Sequence, residues 1–198
     1  ILISNTRPLP KSLIYELLPS VDGLPNRLSS RSFAAELVAR LNHREDSSLR
    51  GLVHQHTNPD GTIKDTTLQK VIMSSYSDGA IREFLSSDEA FERAFVLVSN
   101  FYGAVQKVFP EAWNNHTPRT SRLVHGAGIQ ALGYVMEVVY AWERSTEEQV
   151  FERHLQRLEP FVAWTKGSWA FSETDVRPWN KIQNVSRDVI QLADFLIR

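Results

Sequence analysis

Apolar residues along this chain recur mostly at steps of three and four, the period of an α-helix, and only briefly in unbroken runs. The clearest case is Phe91, Phe95, Val98, Tyr102, Val105 and Phe109, spaced 4, 3, 4, 3 and 4 and followed by Pro110. This spacing predicts a central core helix rather than a coiled coil, because fewer than three heptads are present. Ser86-x-x-Glu89 ahead of it has the form of a capping box. Earlier in the chain, Pro8 and Pro10 open a helix carrying Leu13, Ile14, Leu17 and Leu18, which Pro19 ends. Ser29 or Ser30 is expected to cap a second helix with Phe33, Ala34, Leu37, Val38 and Leu41 inward. Thr66 or Thr67 is expected to cap a third, bearing Leu68, Val71, Ile72 and Tyr76 and ending at Gly79.

Beyond the central helix, residues 111–122 read as a polar loop, and a helix is expected from about Leu123 to Trp142 with Ile129, Leu132, Val135, Met136 and Val139 inward. Ser145-x-x-Glu148 and Thr146-x-x-Gln149 offer capping boxes for a helix with Val150, Phe151, Leu155 and Leu158, which Pro160 stops. An aromatic stretch follows (Phe161, Trp164, Trp169, Phe171, Trp179), and then a closing helix with Val185, Val189, Leu192, Ala193 and Leu196. Strands are few. Ile1-Leu2-Ile3 reads as one, and Asp60-Gly61 between Val53 and Ile63 could close a hairpin or lie in an open loop. The fold class is therefore mainly α: an irregular bundle of about seven helices with one or two short strands, forming a single domain over residues 1–198.

Composition narrows the function. With 22 basic and 23 acidic residues the net charge is -1, so any affinity for a polyanion must come from a local cluster rather than the overall field. The absence of cysteine excludes disulfides, thiolate metal sites and a cysteine nucleophile. No apolar run suits a membrane span and no signal-peptide pattern is present, so the expected location is the cytoplasm, with no membrane partner. Two glycosylation sequons, at Asn115 and Asn184, then read as chance matches.

Most motifs with a chemical meaning fail on spacing. Gly126-Ala127-Gly128 with Gly133 lacks the dinucleotide-binding spacing and follows a polar loop, so close helix packing is the better account. His54-x-His56, with His43 nearby, lacks a third ligand, and no metal or cofactor is expected. No acid–base pair or nucleophile motif stands out, so the chain itself leans away from being an enzyme.

Basic residues are more suggestive. Arg7 and Lys11 flank the first helix start, Arg27 and Arg31 the second, and Arg119 and Arg122 precede the fifth. Lys166, Arg177, Lys181 and Arg187 lie among Trp164, Trp169 and Trp179. Helix starts offer free N–H groups to phosphates, arginine adds bidentate contacts, and tryptophan beside lysine or arginine suits base stacking. The expected nucleic-acid-binding set is therefore Arg7, Lys11, Arg119, Arg122, Lys166, Arg177, Lys181 and Arg187.

The most distinctive stretch, Asn5-Thr6-Arg7-Pro8-Leu9-Pro10-Lys11-Ser12-Leu13-Ile14-Tyr15-Glu16-Leu17-Leu18-Pro19, resembles a segment of the DGQHR-domain family, the DndB-like proteins of bacterial DNA-modification and defence systems. The resemblance continues through Leu41-Asn42, the Ser48–Gly51 turn, and Trp179 to Gln183-Asn184. The D-G-Q-H-R signature itself is absent, and Asp78-Gly79-Ala80 is the nearest string. The resemblance implies the C-terminal part of a longer DGQHR-type protein, in which residues 1–5 are the last strand of an upstream α/β part. It implies a DNA-binding or regulatory role, with DNA, other subunits of a modification system, and self-association as expected partners. Two alternatives stand beside it. One is a nucleotide-hydrolysing or nucleic-acid-processing enzyme whose motif lies upstream; the other is a helical dimerisation or assembly module.

Overall fold

The computed structural model describes residues 26–198, with side chains from Ser29 onward. The strand expected at residues 1–5, the helix after Pro8 and Pro10, and Arg7 and Lys11 lie outside the described residues. The fold is mainly helical, as the apolar spacing predicts, with two small two-stranded sheets. Among the described residues the α-helices are α1 (Asn26–His43), α2 (Asp65–Asp78), α3 (Ala80–Phe84), α4 (Ala90–Val108), α5 (Pro110–Trp113), α6 (Gly126–Glu143), α7 (Glu148–Gln156) and α8 (Ser186–Ile197). The strands are β1 (Val53–His54), β2 (Ile63–Lys64), β3 (Ser168–Ala170) and β4 (Val176–Pro178), and a 3-10 turn follows at Trp179–Lys181.

Two helices organise the packing. α4 touches α1, α3, α5 and α7, while α6 touches α2, α3, α7 and α8. α4 buries the expected seam, with Phe95, Val98, Tyr102, Val105 and Phe109 all nearly inaccessible. It also buries Leu97, Phe101 and Ala104, so most of its circumference faces protein. Each such apolar side chain contributes about 1.5–3 kcal/mol when withdrawn from water. The Tyr102 hydroxyl, fully buried, donates to the Ile129 carbonyl at 2.8 Å and ties α4 to α6. Burial without a nearby cation pushes the Tyr102 pKa up. Helices α2 and α6 meet at Gly133, where a Cβ would lie 2.7 Å from a Val71 methyl; this is the close packing expected of the glycines.

Several local expectations are corrected. The strands at Val53 and Ile63 do not form a hairpin on Asp60-Gly61; they pair in parallel, Val53 opposite Ile63 and His54 opposite Lys64. The chain reverses earlier, at a turn in which Gln55 and Asn58 exchange backbone hydrogen bonds. Asn58 then donates its side-chain N–H groups to the Gly51 and Val53 carbonyls, and buried Asn42 accepts from the Val53 N–H. A polar anchor thus replaces the hairpin turn.

The helix starts also move. α1 begins at Asn26, which places Ser29 and Ser30 inside it, and α2 begins at Asp65, ahead of both threonines. None of the three capping boxes forms: Ser87 and Ser145 accept from the N–H two residues on, and α4 and α7 start just beyond them. Short serine turns outcompete the longer box because they close within one peptide. Gly79 does end α2. Part of the expected 111–122 loop is α5, whose Ala112 and Trp113 are buried, and Val185 precedes α8 and is exposed. The aromatic stretch holds an unexpected hairpin, with Trp169 opposite Arg177.

Candidate functional site

The segment before α6 runs as turns and bends against the aromatic stretch. Thr117 and Thr120 close a local turn: the Thr120 and Ser121 N–H groups both donate to the Thr117 carbonyl. The turn leaves Arg119 exposed. The Arg122 N–H then donates to the Trp164 carbonyl at 2.8 Å, and Leu123 is fully buried. α6 packs tightly onto this segment because position 128 is glycine. A Cβ there would lie 1.9 Å from the Arg122 carbonyl oxygen and 2.7 Å from that of Leu123.

His125 caps α6. Its Nδ1 accepts from the Ala127 N–H at 3.2 Å, and its backbone is extended. Burial first, then the charges of Arg122 and Lys64, lower the His125 pKa to about 4. The ring is therefore neutral at pH 7, and because Nδ1 is the acceptor its proton sits on Nε2. Helix starts present unpaired N–H groups and a positive dipole end, which is the electrostatic setting an anion requires.

Around this helix start lies a pocket of about 460 Å³. Ile63, Lys64 and Thr67 form one wall, Pro118, Arg119 and Arg122 a second, and Asn180 and Asn184 a third. The Asn184 carbonyl oxygen accepts from Gln130, and its amide nitrogen lies over Gly126. Lys64, Arg119 and Arg122 give the lining three cationic side chains, and among the described residues no carboxylate belongs to it.

Arg122 is only 8% exposed. Its Nη atoms donate to the Pro118 carbonyl at 3.0 Å and the Asn180 carbonyl at 2.5 Å, and its Nε has no partner. Among the described residues it forms no ion pair, and burial lowers its pKa. A buried guanidinium is costly unless an anion compensates it.

The other expected binding residues fare differently. Arg177 is engaged by Asp175 at two oxygens (2.8 Å each), by Asp188 and by Gln191, so its charge is already neutralised. Lys181 is exposed in the 3-10 turn between Asn180 and Asn184. Lys166 is exposed before β3, and Arg187 is exposed in the first turn of α8. Trp164 and Trp169 are core residues, packed ring against ring 4.9 Å apart, which removes them from any stacking surface. Trp179 is half-buried, with the Arg122 guanidinium 5.6 Å above its ring. The structure thus brings Arg119 and Arg122 together and adds Lys64, His125, Asn180 and Asn184. Only His125, immediately before a glycine at a helix start, carried a local signal. The others come from segments more than fifty residues away along the chain.

A second concavity, of about 570 Å³, is mostly apolar and lined by Val135, Val139, Leu158, Phe171 and Phe195. At its rim Trp142 and Phe161 are 66% and 65% exposed. Among the described residues no three His, Asp or Glu side chains converge as a metal site would need; the His54 ring nitrogen instead meets the Pro59 carbonyl at 2.7 Å. The half-buried acid Glu137, its pKa raised by desolvation, accepts from the Ala80 N–H at 2.7 Å and holds the start of α3. No described helix is long and apolar enough to cross a membrane.

Fold and pocket together define a helical protein with a basic recess at a helix start, free of carboxylates among the described residues. No family model, curated protein or solved structure matches the chain.

Proposed function

We propose that this chain is a DNA-associated binding module, in keeping with its resemblance to DGQHR-type proteins of DNA modification and defence, and that it holds a nucleic-acid phosphate in the pocket before α6. The observation that carries this reading is the pocket's charge. Three cationic side chains and a helix start line one recess to which no described carboxylate belongs, and one of the three, Arg122, is buried with no counter-ion among the described residues. Lys181, between the two asparagines that line the pocket, adds a further exposed cation. A role in the cytoplasm beside other subunits of a DNA-modification system fits the same resemblance.

Fluorescence anisotropy at several salt concentrations tests the proposal. Binding of single-stranded DNA weakens with salt, with a log–log slope of about 0.7 per phosphate contact. Lys64→Ala with Arg119→Ala flattens that slope by about one contact and weakens binding without lowering the melting temperature, since both side chains are exposed. Absence of binding at low salt overturns the proposal. It would leave a second reading, an assembly module, which the apolar groove flanked by exposed Trp142 and Phe161 favours.

A further inference from the structure

The positive groups of the pocket share one recess of about 460 Å³. Lys64, Arg119 and buried Arg122, whose Nε has no partner among the described residues, line the same recess as Gly126 at the start of an 18-residue helix. Asn184 leans its amide nitrogen over Gly126. Among the described residues the lining contains no Phe, Tyr or Trp, and its one ring, the His125 imidazole, is held by the Ala127 N–H, so no large ring is offered for stacking a base.

This arrangement distinguishes between two kinds of phosphate. An internal phosphodiester carries one negative charge and continues as sugar in both directions. A phosphomonoester carries close to two charges at pH 7 on three free oxygens, and it ends a chain. A recess lined by several cations matches the second in both charge and shape.

We infer that the pocket takes a terminal phosphate, a phosphomonoester at the end of a nucleic-acid strand or on a free nucleotide, in preference to an internal phosphodiester, and that it does so without reading the base. This inference rests on the phosphate-binding reading above.

The test is an anisotropy titration of the full chain with a short single strand bearing a 5′-phosphate and with the same strand bearing a 5′-hydroxyl. Adenosine monophosphate and adenosine serve as competitors. The phosphorylated strand is expected to bind roughly tenfold tighter, reflecting the extra charge placed among the cations. Adenosine monophosphate should compete and adenosine should not, and exchanging the terminal base should change affinity by less than about a factor of two. Lys64→Ala and Arg119→Ala should each shrink the preference, and unchanged melting curves would show that the variants remain folded. Equal affinity for the two strands overturns this inference while leaving the phosphate-contact reading in place. Direct binding of adenosine monophosphate but not adenosine, read by titration calorimetry, with no binding of either strand supports the terminal-phosphate site and overturns the nucleic-acid reading. No response to any phosphorylated probe overturns both.

Discussion

Arg122 and Arg177 carry the same side chain, and both lie close to tryptophans, yet the fold treats them in opposite ways. Arg177 stands on β4 beside Asp175, and α8 brings Asp188 and Gln191 against it. Its pKa rises, chiefly through the Asp175 hydrogen bonds, and the Asp175 carboxyl is held below its usual range by the same contacts. Arg122 is the more deeply buried of the two and, beside the Trp179 ring, meets carbonyl oxygens and no carboxylate among the described residues. The first cluster is complete as it stands and pins the β3–β4 hairpin to α8. The second leaves a charge for something outside the protein. A basic residue near an aromatic is therefore ambiguous; what separates a structural arginine from a binding one is whether the fold supplies the anion.

The strongest way to break this contrast is to remove the pocket without touching its charges. Gly128→Ala would place a methyl within 1.9 Å of the Arg122 carbonyl, forcing α6 away from the segment that carries Arg119 and Arg122. A loss of about 3 kcal/mol or more is expected, together with loss of anion binding, both measurable by thermal melting and titration. Unchanged stability would mean that the helix does not sit on that segment as described.

Exchanging the arginines sharpens the comparison. Arg177→Ala leaves Asp188 partly buried and uncompensated, and should cost about 2 kcal/mol while barely altering phosphate affinity. Arg122→Met keeps the apolar stem and removes a charge that has no partner. Stability should then change by no more than about 1 kcal/mol, while phosphate binding weakens strongly. Denaturant melts and binding isotherms of the two variants side by side decide this; the opposite pattern would make Arg122 the structural residue.

The smallest effect concerns His125. Its folded pKa, about 4, lies below the unfolded value of 6.5. The unfolded chain therefore takes up the proton first, and stability present above pH 6.5 is lost as the pH falls towards 4. Because part of the ring faces solvent, the loss should be only about 1 kcal/mol. His125→Asn retains a capping side chain and should remove this component, seen as a difference between the two stability–pH curves over that window. Identical curves would show that the ring is not held neutral by its burial and the Arg122 and Lys64 charges.

Much of the fold was legible before any tertiary contact was known. The 4–3 spacing along α4 and the inward set on α6 mark buried faces directly, because a helix repeats every 3.6 residues whatever it packs against. Gly79 as the end of α2 is equally local. The exact helix starts were not: serine side chains can cap at several offsets, and the choice depends on which turn closes first. The parallel pairing of β1 and β2 was illegible because it depends on Asn42 of α1 reaching the Val53 and Gln55 positions. For the candidate site, the sequence on its own placed Arg119 and Arg122 ahead of a helix start, where free N–H groups are guaranteed by helix geometry. Which cations remain uncompensated was decided only by tertiary structure. Lys64, Asn180 and Asn184 reach Arg122 across the fold, while Asp188 reaches Arg177, and electrostatic energy depends on distance in space rather than on separation along the chain.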